Sequence, residues 1–544
     1  MKTERTAAIV IATITAFACA SSESVPGGGV TDGGSSSDGG AIDPSQPYSL
    51  IGDLAPGSRL SRVLDLLPSG NDMHALVLSC SGGFDGKTEV VTLDAGGKVK
   101  GRFTVASKPS CSVDDKGSYG DFGPMRGIVL PSGDIALAGT NFEGDGPQLV
   151  QRYSATGQLK WSVELPVLDS YAYVYALSAE GDEVWVAGSL LSKNTSVLGL
   201  NIPYADIDAG SLFAFGIDAS GKLAHHVHVT QKPLIHLGAQ GAVALRQDGA
   251  GGLWLLADRP ESSPSAGLFH IKGDGTVDLS AGTGVDTYVP NDAPADVLPA
   301  PGDPKVFMYL GSASPPSLAM MTVGASGPKD SLPIPGIKLH ARHTPTVMAN
   351  GVPVFVGFSP SPTSGNDREI SYQSAAIGYV SSGAPTVSSF AASHGSTFYS
   401  VALDSKNRIW AGGAAGGRFR VGERTSTIAQ AASGDAFILV FDDLAAIGRA
   451  AKDNEKHPLP TCKVTSEACA SCMKTAACLT SCDRDGTCGP VFSSARSCIC
   501  DAQIDHPQEI ETRAESCLEP VKQVGPNGNT AANCLAVTCA DACK

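Results

Sequence analysis

Ile135-Ala-Leu-Ala-Gly139 is followed, after a variable loop, by Leu149-Val-Gln-Arg-Tyr-Ser-Ala-Thr-Gly157-Gln-Leu-Lys-Trp161. An apolar run closes on a small residue, a second apolar run follows, and a glycine turn ends the phrase. Phrases of this form recur about seven times between Leu60 and Ile447. Such a period marks one supersecondary unit that cannot bury its own faces and must stack on copies of itself.

Two landmarks set the spacing. The small residue falls at Gly139, Gly188, Ala257, Gly311, Gly357 and Gly413, with Ser79-Cys80 in the same place in the first copy, so the steps run from 46 to 69 residues. The turn glycine falls at Gly97, Gly157, Gly221, Gly275, Gly327 and Gly383, and the seventh copy, Phe437 to Ile447, lacks it. These steps suit a four-stranded propeller blade with unequal loops and are too long for a hexapeptide solenoid. The fold class expected is therefore all-β, a seven-bladed β-propeller of four-stranded blades.

The runs before the first landmark are apolar at successive positions: Ile135 to Ala138, Val184 to Ala187, Leu253 to Leu256, Val306 to Leu310, Val354 to Val356 and Ile409 to Gly412. Strands of this kind need both faces covered, as between neighbouring blades. Trp185, Trp254 and Trp410 each stand three residues before the landmark and are read as packing between blades. Asp218-Ala-Ser-Gly221, Lys272-Gly-Asp-Gly275 and Ala95-Gly-Gly97 suit tight hairpins in which glycine takes positive φ.

Two segments carry a resemblance. Gly181 to Val229, with Gly-Asp-Glu-Val-Trp-Val-Ala-Gly-Ser and Leu212-Phe-Ala-Phe-Gly-Ile-Asp-Ala-Ser-Gly-Lys-Leu, and Asp404 to Asp443, with Ile409-Trp-Ala-Gly-Gly and Gly434-Asp-Ala-Phe-Ile-Leu-Val-Phe-Asp, resemble the seven-bladed β-propeller repeats of secreted bacterial proteins. The resemblance implies a scaffold and transfers no catalytic residue. Copies five and six depart from it most, with Pro299 to Pro304 and Pro360 to Pro362 blurring their strand limits.

The N-terminus reads as an export signal. Lys2 and Arg5 precede an apolar stretch from Ala7 to Ala18 that is too short to cross a bilayer, and residues 1–18 are assigned to a signal peptide. Ala16-Phe-Ala-Cys19 resembles a lipobox with Cys19 as the lipidated residue, and it also reads as an ordinary small-x-small cleavage site. Residues 19–46 are rich in Ser, Gly and Asp and form a flexible tether, which favours the anchored alternative. The propeller is assigned to 47–450.

Of 15 cysteines, twelve crowd into the tail, 451–544: Cys462, Cys469, Cys472, Cys478, Cys482, Cys488, Cys498, Cys500, Cys517, Cys534, Cys539 and Cys543. Cys539 and Cys543, like Cys478 and Cys482, are four apart and share one helix face, so the tail is expected to be small, mainly helical and stapled by disulfides. Cys469-Ala-Ser-Cys472 also admits a redox pair or half a zinc site. No β-α-β pattern surrounds it, His506 is the lone histidine nearby, and an oxidising compartment favours structural bridges. Cys80 and Cys111, in the first copy, are expected to bridge; closing a loop of that size contributes on the order of 3 kcal/mol.

Composition limits the partners. The chain has 544 residues, of which 42% are hydrophobic and 17% charged, with a formal charge of −15. Phosphate backbones need a cationic surface, so nucleic acid is excluded as a partner. There is no Gly-x-Ser-x-Gly elbow, His-Glu-x-x-His helix or phosphate loop. No cofactor is expected, with calcium as the alternative, at Asp206-Ile-Asp208, where a solvated loop is favoured; Asp483-Arg-Asp-Gly486 is read as a turn. His225, His226 and His228 form the densest histidine cluster, with His226 and His228 on one face of a strand, and an exposed outer strand explains them as well as a metal.

A site, if present, belongs where the first strands of the blades line the central channel. Those strands are placed near Arg62 to Leu66, Arg126 to Leu130, Tyr173 to Leu177, Ala242 to Arg246, Asp296 to Leu298, His343 to Val347 and Tyr399 to Leu403. Arg126, Tyr173, Asp296, His343 and Tyr399, at their leading ends, are the candidate ligand-binding residues. Together these features favour a non-catalytic extracellular or cell-surface binding protein, read as a monomer, with an unidentified protein or glycan partner and membrane contact only through the N-terminal lipid. The alternative is an extracellular propeller enzyme, a lyase or glycoside-processing enzyme, with its site in the funnel.

Overall fold

Seven antiparallel four-stranded sheets follow one another along the chain in the computed structural model. The structure describes most residues between Ser45 and Cys543; the larger segments outside it are 1–41, 107–123, 141–147, 166–172, 191–195, 202–210, 231–241, 259–265, 279–292, 311–316, 340–344, 360–373, 428–434, 457–463, 473–481 and 483–487. Blades 1 to 6 each occupy one continuous stretch, 60–104, 124–165, 173–230, 242–278, 293–334 and 346–390, and the blade 3 stretch also holds a separate two-stranded ribbon, Ser196–Val197 with Leu200–Asn201. The Pro299 to Pro304 stretch is the connection between the first two strands of blade 5, Ala293–Leu298 and Lys305–Leu310.

Alternation along each strand accounts for the continuous apolar runs. Trp185 faces the blade 3–4 seam, whereas Val184 and Val186 face the blade 2–3 seam. Val306 joins the cluster shared with blade 4 and Phe307 the one shared with blade 6. Successive side chains point to opposite faces of a strand, so a strand covered on both sides has no polar phase. Every seam has its own apolar cluster, including the 7–1 seam, where Trp410 packs with Val63, Leu66 and Met73. Trp185, Trp254 and Trp410 all pack between blades, Trp254 only partly buried. Full burial of a side chain of this size contributes at least about 2 kcal/mol.

The ring closes through its ends. Blade 7 takes Ser396–Leu403, Ile409–Ala415 and Asp435–Phe441 from the C-terminal side, and its fourth strand is Tyr48–Ile51. The register is Tyr48 with Phe441 through Ile51 with Ile438. This explains the missing seventh turn glycine: after Phe441 the chain makes no hairpin and enters helix α1, Leu444–Lys456. Ala446, Ile447 and Ala450 of α1 pack into the cluster of blades 6 and 7, and Tyr48 donates a hydrogen bond to Asp453 at 3.1 Å.

The outer turns interlock in sequence. Gly97, Gly157 and Gly221 have φ of 78°, 86° and 83°. A Cβ at each would strike Ile51, Phe103 and Trp161 respectively, each a residue of the preceding blade's outer strand. Glycine is therefore required twice over, for the turn and for the seam.

The tail forms helices α2, Cys488–Asp505, α3, Ile510–Lys522, α4, Pro526–Asn533, and α5, Ala540–Cys543. Cys469–Cys543 and Cys472–Cys539 make two adjacent rungs, while Cys482–Cys488 and Cys498–Cys517 complete the described pairings. Cys469 and Cys472, three residues apart, are thus bridged to Cys543 and Cys539, four apart on the opposite segment, rather than to each other. Cys80, Cys500 and Cys534 are also disulfide-bonded, and their pairings fall outside the described residues, as do Cys19, Cys111, Cys462 and Cys478. A core of Phe492, Ile499, Leu518, Val521 and Leu535 packs around the sulfurs. These bridges point to an oxidising, exported environment for the chain. Among the described residues no helix is long and apolar enough to cross a membrane.

Candidate functional site

The first strands of six blades share one irregularity. The register shifts between Val63 and Asp65, Pro124 and Arg126, Val174 and Ala176, Ala242 and Ala244, Pro294 and Asp296, and Phe398 and Ser400. A bulge bends the strand and re-aims the side chain that follows it. The residues immediately after the shift are therefore equivalent round the ring: Asp65, Arg126, Ala176, Ala244, Asp296 and Ser400.

Two of these are aspartates, and each joins the blades on either side of it. Asp65, on blade 1, accepts hydrogen bonds from the Ser400 hydroxyl of blade 7 at 2.8 Å and from the Gly127 N–H of blade 2 at 3.0 Å. The N–H of Leu66 donates to the same carboxylate at 3.0 Å. Asp296, on blade 5, accepts from Arg246 of blade 4 at 2.8 and 3.1 Å and from the Thr346 hydroxyl of blade 6 at 2.7 Å. Val297 N–H adds a bond at 2.9 Å. Asp65 is 1% exposed and Asp296 0%, so these carboxylates depend wholly on protein donors.

Arg126 is buried on blade 2. Burial lowers its pKa to about 10; the Arg246 charge adds to that, while Asp296 and Asp65 oppose it. It remains protonated at neutral pH. Since Arg246 and Asp296 stand on blades 4 and 5, its charge is felt across the ring.

Tyr399 is 4% exposed and lies beside Arg62, which donates to its hydroxyl at 3.5 Å with the guanidinium 5.8 Å from the ring centroid. Tyr173 opens the first strand of blade 3, paired with Ser189, and its side chain lies outside the described residues. His343 lies outside them altogether, before the blade 6 strand Thr346–Ala349.

The structure thus brings Arg126 and Asp296 into one electrostatic group with Asp65 and Arg246, and sets Tyr399 with Arg62. Asp65, Arg246, Thr346 and Ser400 are absent from the sequence-derived set. A signal for the aspartates exists: Asp65-Leu-Leu-Pro68 and Asp296-Val-Leu-Pro299 share one pattern.

A third carboxyl group sits at the closing seam. Asp435 accepts from Ser61 at 3.4 Å, and Ser61 in turn accepts from the Ala436 N–H at 2.8 Å. Burial pushes the Asp435 carboxyl up to about 6; the Ser61 bond opposes this and the charge of Asp53 adds to it.

The histidine cluster lies on the outer strand of blade 3, Leu223–Thr230. His225 stacks on Trp185 at 5.8 Å, with Nε2 3.6 Å from Glu183, and His226 is exposed. Among the described residues no three His, Cys, Asp or Glu side chains converge to hold a metal ion. Asp206, Asp208, Asp483 and Asp485 lie outside the described residues.

No family model matches the chain, and no curated protein matches it. Among solved structures it is similar to the apocarotenoid oxygenase of Synechocystis, at 12% identity and a TM-score of 0.32, over 55% of this chain and 68% of that one. It is also similar to the lignostilbene dioxygenase of Pseudomonas brassicacearum, at 15% identity and a TM-score of 0.30, over 48% of this chain and 61% of that one. Likenesses this remote carry no information on the chemistry of this chain.

Proposed function

We propose that the protein is an exported, non-catalytic binding scaffold whose propeller is the interaction platform and whose stapled tail is a robust accessory module. The observation that carries this reading is the use made of the channel carboxylates. Asp65 and Asp296 each accept bonds from both neighbouring blades. A general acid, base or nucleophile needs oxygen atoms that reach a substrate and a proton it can exchange. Carboxylates committed to backbone N–H, hydroxyl and guanidinium donors serve as ties. The scaffold is proposed to act as a monomer, held at the cell surface through lipid on Cys19 and the tether that follows, with a protein or glycan as partner.

The test uses the full chain, immobilised through its N-terminal tether and exposed to envelope extracts and glycan arrays. A partner retained and recovered unaltered is the expected result. Turnover of a retained glycan into cleaved or unsaturated products, lost on substitution of a channel residue, would establish the enzyme alternative instead.

A further inference from the structure

Four cysteines of the tail form a ladder whose two rungs differ in access. Both ends of the inner rung, Cys469–Cys543, are fully buried, each residue 0% exposed. The outer rung, Cys472–Cys539, has one buried end, Cys539 at 1%, and one partly exposed end, Cys472. Val537, two residues before Cys539, is 76% exposed on the same segment. An incoming thiolate therefore meets Cys472 first. Cys469 and Cys472 both have helical backbone and stand three residues apart, so they are neighbours on one helix face at the spacing of a Cys-x-x-Cys pair.

We propose that the Cys472–Cys539 bridge is a thiol–disulfide exchange site for a dithiol of the exported compartment, and that Cys472 passes the reduction on to Cys469–Cys543. A thiolate of the dithiol attacks the Cys472 sulfur, forms a mixed disulfide and expels Cys539 as thiolate. The second thiol of the dithiol closes on its own partner sulfur and releases Cys472 as thiolate. That thiolate attacks the Cys469 sulfur, forms Cys469–Cys472 and expels Cys543. The dithiol leaves as a cyclic disulfide, its two protons end on Cys539 and Cys543, and two electrons turn two bridges into one bridge and two thiols. The relay step joins groups one helical turn apart within one chain, which gives it the advantage of effective concentration. Hydrogen bonds hold the two segments together meanwhile: Ser466 Oγ accepts from the Cys469 N–H at 3.2 Å and donates to the Ala542 carbonyl at 3.4 Å, and Gln503 donates to the Cys543 carbonyl at 2.8 Å. The exchange is thereby reversible, and its effect is confined to the segment after Cys534, which loses its two covalent ties to Cys469 and Cys472. The site is independent of the propeller and of what the channel binds.

The experiment treats the full chain with limiting dithiothreitol, quenches with N-ethylmaleimide and maps the bridges by mass spectrometry of its peptides. The expected first product carries label on Cys539 and Cys543 and a new Cys469–Cys472 bridge, with Cys482–Cys488 and Cys498–Cys517 intact. Label on Cys472 and Cys539 with Cys469–Cys543 intact overturns the proposal, and so does first label on Cys482, Cys488, Cys498 or Cys517. A chain carrying both Cys472→Ser and Cys539→Ser lacks the outer rung and leaves no odd thiol. Labelling of Cys543 in that chain is expected to slow by roughly tenfold or more; an unchanged rate contradicts the relay. Should that variant fail to fold, the bridge map of the parent chain decides alone.

Discussion

At Asp435 burial acts against the charge, and the consequence is a pH dependence of known sign. Its pKa, about 6 in the folded chain, lies above the ordinary 3.8. The folded state therefore holds the proton more tightly than the unfolded one. The associated stability is fully present below about pH 4 and is lost as pH rises through about 6. Asp435→Asn is expected to raise stability at pH 7.5 by on the order of 1–2 kcal/mol, discounted for partial exposure, and to flatten the profile between about pH 4 and 7. Denaturant titrations of both chains at several pH values check this; a variant no more stable than the parent at pH 7.5 would refute it. Sequence could not reveal this group, because Asp435 acquires its environment from Ser61 and Asp53, nearly four hundred residues away in the chain. Arg126, Asp296 and Tyr399 were within reach of sequence, since polar residues on a first strand stand out against apolar neighbours. Ser400 and Thr346 were not, because a hydroxyl between apolar residues reads as ordinary strand composition.

The blade is the element, and its outer turn meets the blade before it. Gly157, at φ 86°, packs beneath Phe103. Gly157→Ala is expected to cost about 2–3 kcal/mol, part from positive φ and part from the clash. In a double-mutant cycle, Phe103→Ala should recover the steric part and leave the backbone part. Additive effects, measured by chemical denaturation, would show that turn and ring do not meet. Buried ion pairs add a second link at the same level: Arg408 donates to Asp404 at 2.6 Å and to the Ala95 carbonyl of blade 1 at 2.7 Å. Arg408→Ala would leave a buried carboxylate and is expected to destabilise by about 3 kcal/mol, read in the same way. The turn glycines and the apolar runs were legible because each obeys a local rule. The partner of each glycine was not, because it lies one blade upstream.

For the whole molecule, closure depends on the four residues of the strand Tyr48–Ile51. Tyr48–Ile51 is too short for a periodic signal, and nothing in its own sequence says that it pairs with Ile438 to Phe441. The missing turn glycine of the seventh copy was the visible trace. Deleting residues 1–51 should expose the edge of Asp435–Phe441 and replace cooperative unfolding with aggregation, monitored by light scattering during a melt. A soluble, cooperatively melting deletion would refute closure by this strand. The larger claim is that the channel carboxylates hold the ring together rather than perform chemistry. Groups kept for catalysis commonly cost stability, and their removal restores it; ties do the opposite. The decisive measurement is the unfolding free energy of Asp65→Asn and Asp296→Asn in the full chain. Each is expected to lose about 1–3 kcal/mol, and stability unchanged or increased in both would contradict the account.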